Sequence, residues 1–553
     1  MDDLAPPRPA TLTRRTLILG AAAAGVLTSL EVAPRAAAAT RSPHPALLHT
    51  ASDIARVRTS IAAGDPIVLS GYNRLLGNGR SQASWSPRPV SVVIRGGAGD
   101  NVALLFKDAA AAYQNALRYR VTGAEEHGAA AARILNAWSS TLTSIQGNAD
   151  RFLAAGLQGY QLANAAELIR DRPDFDTAAA QTMLLESFYP LNNAFLTDHN
   201  GAFDSNYWAN WDLCNMNSVL AIGAFADRQD LVDQAIDYAT NGVGMGALPH
   251  AIPFVYDDEG LAQWEESGRD QGHTVMGMGQ MGAFLEMAWN LGHDLYAFDD
   301  NRFMKAAQYV AKYNLGYEVP YTTYWKQSGN RFTNAAHTGW AAYPALGAGS
   351  RGQVRPVWEL IYGHYHGRKG LEVDWIRQMA ELVRAEGGGG DYGDSSGGYD
   401  QLGFGTLMHY QEYVAPAPEA SAQPEPTTEP SPAESTPPGS APDASGAPAS
   451  GSETSGATTG STSSGTAQRS TRGAAASSRG SDTSTTPAAA GEGVLAIPTS
   501  PSTPGATPSA ATASSSGTAV GASTLIAPAA GLVAMATGLG AYFARHVRRY
   551  LRG

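Results

Sequence analysis

From residue 100 onward, apolar residues recur three and four positions apart, the spacing that lines one face of an α-helix. The pattern predicts helices over 100–121, 124–142, 149–170, 175–196, 208–225, 229–240, 273–291, 301–313, 357–368 and 373–383. Gly, Asp, Asn or Pro punctuates many of the gaps, and no strong run of alternating strand residues appears. Short loops between so many helices imply stacked antiparallel hairpins. No fixed repeat period stands out, which favours an all-α fold built as an α/α toroid over an open solenoid. Such a toroid is an incomplete or closed barrel of helical hairpins. Several helices are rich in alanine where larger residues would be expected, which fits close helix–helix packing.

The periodicity occupies only part of the 553 residues, and composition explains the remainder. Thr13-Arg14-Arg15-Thr16 leads into an apolar run ending near Leu30, and Ala37-Ala38-Ala39 follows. Residues 1–39 therefore read as a cleavable export signal of the twin-arginine type. The folded domain is expected over 40–413. Residues 414–523 turn to Pro, Ser, Thr, Ala and Gly, too little apolar surface to offset chain entropy, so they read as a disordered stalk. A coil of that length reaches about 55 to 60 Å. Residues 524–544 are apolar over the length of one transmembrane helix, and the basic tail 545–553 should stay cytoplasmic. The expected protein is exported and held at the cell surface by a plasma-membrane anchor.

A formal net charge of −12 argues against a nucleic-acid partner. Cys214 stands alone, which rules out an intrachain disulfide, and its setting reads as a buried structural thiol. Asp391, Asp394 and Asp400 lie in a glycine-dense stretch, but their spacing is not that of an EF-hand loop, so no metal site is assigned. No cofactor and no protein partner is expected.

The chemistry gathers in a few runs. In Trp264-Glu265-Glu266-Ser267-Gly268-Arg269-Asp270-Gln271-Gly272-His273 the arginine and histidine stand four apart, which on a helix puts both on one face. A fixed cation beside a group that titrates near neutrality suits a carboxylate-bearing substrate. The competing explanation pairs Arg269 with Glu265 or Glu266 at the surface. In Tyr207-Trp208-Ala209-Asn210-Trp211-Asp212, Asn210 could donate to a carboxylate while Tyr207, Trp208 and Trp211 offer flat faces to sugars. Equally, Asn206 or Asn210 could cap the helix and the tryptophans could fill core. Residues 317–325 read as a phenol-rich loop holding Tyr321 and Tyr324. His337 lies near Trp340, and Arg355 opens a further helix. The glycines and methionines of 277–282 suggest close backbone packing or substrate approach.

These runs resemble the bacterial alginate-lyase-like polysaccharide lyases over roughly residues 45–410, together with Arg355-Pro356-Val357-Trp358-Glu359 and Gly387-Gly388-Gly389-Gly390-Asp391-Tyr392-Gly393. The resemblance implies an α/α toroid and β-elimination on a 4-linked uronic-acid polymer, an anionic polysaccharide, with no cofactor. It implies that Asn210 and Arg269 neutralise the carboxylate and that His273 is the base or a second neutraliser. His337 is the alternative base. Related lyases place a tyrosine about two turns after the arginine, where this chain has Met276. The acid must then come from elsewhere, with Tyr324 and Tyr207 ahead of Tyr321. Trp208, Trp211, Gln271, Trp340 and Arg355 are the expected substrate contacts. Two other functions fit the same residues. One is a toroidal glycoside hydrolase using Asp204, Asp212, Glu266 or Asp270, which would need paired carboxylates. The other is a non-catalytic glycan-binding adhesin.

Overall fold

The computed structural model describes residues 44–331 and 339–415. The chain divides into two units at 428/429, and every described residue belongs to the first. The expected export signal, the stalk from 416 onward, the membrane span, the basic tail and His337 all lie outside the described residues. Among the described residues no helix is long and apolar enough to cross a membrane.

The unit opens with two helices that the periodicity missed, α1 (Ala51–Ala63) and α2 (Pro66–Gly77). Thr50 and Asp53 form a reciprocal capping box on α1, and Asp65 caps α2 ahead of Pro66. Then follow α3 (Val102–Thr122), α4 (Glu125–Ser139), α5 (Arg151–Leu168), α6 (Thr177–Met183), α7 (Tyr189–Asp198), α8 (Ala209–Phe225) and α9 (Gln229–Asn241). After the short α10 (Leu248–Ala251) come α11 (Gln271–Asn290), α12 (Phe298–Asn314), α13 (Trp358–Tyr362), α14 (Asp374–Val383) and α15 (Gly405–Met408).

Two kinds of helix alternate. Nearly every residue of α5, α8 and α11 is buried, whereas α4, α9 and α14 bury one face. The buried helices touch in series: α3 on α5, α5 on α8, α8 on α11, α11 on α13, α13 on α15, and α15 on α1 and α2. Small residues set the α5–α8 approach. A Cβ added to Gly156 would lie 2.4 Å from Cys214 Sγ, so only glycine fits. Cys214 is buried as expected, and burial pushes its thiol pKa up.

Four sequence expectations change. The helix expected over 175–196 is interrupted by a π turn, Leu184–Phe188, between α6 and α7. The one expected over 357–368 is regular only through Tyr362 and continues as a π turn. The fold is mostly helical but not purely so, because three two-stranded sheets are present. β1 (Val92–Arg95) pairs in parallel with β2 (Ser144–Gly147), and β3 (Phe254–Tyr256) lies antiparallel to β4 (Leu261–Gln263). Finally, part of the expected loop 317–325 is strand: β5 (Tyr324–Ser328) pairs antiparallel with β6 (Gly339–Tyr343). Such short strands are hard to see in sequence, since three to five residues show little alternation.

Candidate active site

One carboxylate joins the two chemistry-bearing runs. Glu266 Oε1 accepts the backbone N–H of Asn210 at 3.1 Å, and its Oε2 accepts from Arg269 Nη1 at 3.0 Å. Glu265 Oε2 takes the adjacent N–H of Ala209 at 3.2 Å. Both glutamates are fully buried. They satisfy the first free amides of α8, where the helix dipole favours negative charge. Neither Asn206 nor Asn210 caps this helix: Trp208 is the N-cap and makes no side-chain bond, while Asn206 accepts from the Gly329 amide. The Asn210 side chain is left with its buried Oδ1 unpartnered among the described residues.

Arg269 precedes α11 rather than lying on it. Asp270 is the N-cap of that helix, with its Oδ1 accepting the His273 N–H at 2.8 Å. The turn still brings the pair together: Arg269 Nη2 donates to His273 Nε2 at 3.0 Å, and His273 Nδ1 bonds Asp270 Oδ2 at 2.7 Å. Because a guanidinium only donates, Nε2 is the unprotonated nitrogen and Nδ1 carries the hydrogen. Burial works against the Asp270 charge, but the His273 hydrogen bonds and the nearby cations hold its pKa below the usual range. His273 thus presents a basic nitrogen locked in one tautomer. Its side chain is 40% exposed and that of Arg269 is 26%, so both reach solvent. The expected pairing of Arg269 with Glu266 is present, and it leaves the other guanidinium nitrogen on His273.

The β5–β6 hairpin forms a wall beside this pair. Trp208 packs edge-on to Tyr343 with ring centroids 5.1 Å apart and lies 6.4 Å from Tyr324. The Arg269 guanidinium sits 5.3 Å from the Trp208 ring centre and Lys326 Nζ 4.0 Å from it. Lys326, not foreseen from sequence, is buried and donates to Ser205 O at 2.6 Å. Burial pushes Lys326 down and Glu265 up, while each group's charge opposes the other's shift. Tyr324 is buried, its hydroxyl 3.3 Å from Met245 Sδ, and its pKa is raised by burial and then by Glu265. Tyr343, also not foreseen, is only partly buried, and its hydroxyl has no partner among the described residues. Burial raises its pKa, with Arg269 pulling the other way. Both lie on strands too short to show their alternation in sequence, in which Tyr324 and Lys326 turn inward.

The other expected residues lie as follows. Tyr207 and Trp211 pack tilted with ring centroids 4.6 Å apart beside Phe195, and the Tyr207 hydroxyl accepts from Asn200 at 3.1 Å. The Tyr321 hydroxyl is spent on Tyr343 O at 2.7 Å, and burial pushes its pKa up to about 12. Gln271 is buried, with its amide engaged by Gly347 O and Asn314. Arg355 is mostly buried against Gly397 O, 3.6 Å from Asp400. Burial raises the Asp400 pKa, opposed by Arg355, Arg95 and His273, which puts Arg95 within electrostatic reach of this group. Trp340 faces away from Trp208, on the outer side of the hairpin. Met276 is buried in α11. Asp391 and Asp394 of the glycine-dense loop pair with Arg74 and Arg80.

The carboxylates proposed for hydrolysis are mostly committed elsewhere. Asp212 is buried between His199 at 2.9 Å and the Tyr238 hydroxyl at 2.6 Å, and Glu266 is bound as above. Asp204 is about half exposed, 3.7 Å from Arg331. Asp270 is bonded to His273 through both carboxylate oxygens.

A mostly helical scaffold that sets an arginine and a tautomer-locked histidine beside phenols has the parts of a lyase acting on acidic sugars. Residues 95–319 match the family model described as alginate lyase, and the protein is a polysaccharide lyase. Within that class its similarity is to the alginate lyases. No curated protein matches the chain. Among solved structures it is similar to an alginate lyase from Bacteroides ovatus, at 16% identity and a TM-score of 0.38, over 49% of this chain and 84% of that one. It is also similar to alginate lyase A1-III from Sphingomonas species A1, at 14% identity and a TM-score of 0.43, over 65% and 95%. A tetrasaccharide complex of a variant of A1-III is similar over 68% and 98%, at 14% identity and a TM-score of 0.42.

Proposed function

We propose that the protein cleaves a 4-linked uronic-acid polymer, of the polymannuronate, polyguluronate or glucuronan type, by β-elimination at Arg269 and His273. The observation that carries this reading is the 3.0 Å contact between the Arg269 guanidinium and the unprotonated His273 Nε2. A substrate carboxylate entering there takes the Arg269 hydrogen bond and so releases Nε2. Arg269 and the Asn210 amide neutralise the carboxylate, which acidifies the C5 hydrogen. His273 Nε2 then removes that proton, and the electron pair delocalises into the carboxylate as an enolate. On collapse the C4=C5 double bond forms and the C4–O4 bond breaks. O4 takes its proton from a phenol, for which Tyr343 is favoured by its partial exposure and unpartnered hydroxyl, ahead of the buried Tyr324. Asp270 holds the base in its tautomer throughout.

The series of buried helices, closed through α15 onto α1 and α2, supports reading the fold as an α/α toroid. Residues 1–39 are proposed as the export signal, and 524–544 as the anchor that holds the enzyme at the cell surface on its stalk. Incubation of the full-length protein in detergent with the three polymers should generate the ultraviolet absorbance of an unsaturated product end. Reducing ends without that absorbance would point to hydrolysis, and saturable binding without turnover to an adhesin.

A further inference from the structure

The β5–β6 hairpin has a second face. Tyr324 and Lys326 turn inward and are 7% and 2% exposed, whereas Trp325 and Trp340 turn outward and are 46% and 52% exposed. The register pairs Trp325 with Ala342 and Gln327 with Trp340. The two indoles are therefore diagonal neighbours on one face, with backbones roughly 7 to 8 Å apart. Gln327 lies between them, and its side-chain amide makes no hydrogen bond among the described residues. Among the described residues Trp325 and Trp340 are the only exposed tryptophans, whereas Trp138, Trp264 and Trp358 are fully buried. Two adjacent half-exposed indoles are a departure from that pattern, and clustered exposed apolar groups mark binding surfaces.

We propose that this outer face is a second, non-catalytic docking surface for the polysaccharide. The inference rests on the polymer-cleaving function proposed above and extends it to a separate surface. A pyranose ring presents a flat C–H face that stacks on an indole, and its hydroxyls bond to an amide such as that of Gln327. The face is the reverse side of the hairpin whose inner side packs on Trp208 beside Arg269, so it lies next to the candidate active site. A lipid surface fits less well: Trp325, Gln327, Trp340 and Ala342 include none of the basic residues that interfacial segments use.

Affinity electrophoresis of the full chain in detergent, through gels containing polymannuronate or glucuronan, tests this directly. It is run in the Arg269→Ala background so that the polymer stays intact. Trp325→Ala should weaken retardation roughly three- to tenfold, Trp325→Phe should largely preserve it, and adding Trp340→Ala should weaken it further. In the otherwise native enzyme, Trp325→Ala should leave turnover of a uronate tetrasaccharide unchanged. Equal retardation of parent and Trp325→Ala proteins would overturn the proposal. So would a Trp325→Ala loss seen instead in binding to phosphatidylglycerol vesicles, or in self-association by sedimentation. Failure of tetrasaccharide turnover in the native enzyme, with tryptophan-dependent retardation retained, would count against the proposed chemistry and not against the surface.

Discussion

Met276 is where a residue-by-residue comparison with related lyases runs out, and the hairpin answers with two phenols of different character. Tyr324 is buried beside Glu265, while Tyr343 is partly exposed beside Trp208 and Arg269. If Tyr343 supplies the proton to O4, Tyr343→Phe should lower kcat about 10²- to 10⁴-fold with little change in melting temperature. Tyr324→Phe should instead act mainly on stability. Steady-state kinetics and thermal melts of both variants separate the two, and the reverse pattern would transfer the role to Tyr324. At this scale the sequence was informative about Arg269, Asn210 and His273, whose residue types suit the chemistry directly. It was silent about Glu266 as the joint between them, because its two partners meet only through the packing of α11 against α8.

At the scale of elements, two buried glutamates repeat one device. Glu266 anchors the start of α8, and Glu386 Oε1 accepts the amides of Trp358 and Glu359 at 2.8 and 3.2 Å at the start of α13. Burial, with Glu359 adding to it, pushes the Glu386 pKa up to about 8. Between the ordinary glutamate value of 4.5 and that value, the folded chain holds a proton that the unfolded chain has released. Its contribution is therefore full below the lower limit and is lost as pH rises through the upper one. Glu386→Gln removes this dependence, so the melting temperature of the variant relative to the parent should rise from about pH 5 to about pH 8.5. A constant or falling difference would place the glutamate's ionisation elsewhere. The glycines of α11 have a packing role: a Cβ on Gly277 would meet the Trp264 ring at 2.7 Å, whereas one on Gly282 finds Leu360 Cδ2 at 3.1 Å. Gly277→Ala should cost about 1 to 3 kcal/mol in thermal or denaturant unfolding, and Gly282→Ala close to nothing. The long helices were legible because their apolar spacing persists over several turns. The strands were not, because three to five residues carry too little pattern, and π turns such as 184–188 change no apolar spacing that could reveal them.

For the whole molecule, the proposed anchor would keep the enzyme near the polymer it is proposed to cut. Deleting residues 524–553 should shift the protein from the membrane fraction to the medium without altering its activity on soluble polymer. Retention of the truncated chain in the membrane fraction would remove the anchor from the scheme. Most of the long helices between α3 and α12 followed from the apolar spacing. The helices that link the end of the series to its start, α1, α2 and α15, were not legible, since their spacing is weak or their length is too short to read. The most direct measurement is ultraviolet absorbance during digestion of polymannuronate, polyguluronate and glucuronan by the native protein and by its Arg269→Ala and His273→Ala variants. Absorbance should grow with the native enzyme on at least one polymer and fall by two orders of magnitude or more with either variant. Chain cleavage without absorbance, or full activity in both variants, would contradict elimination at Arg269 and His273.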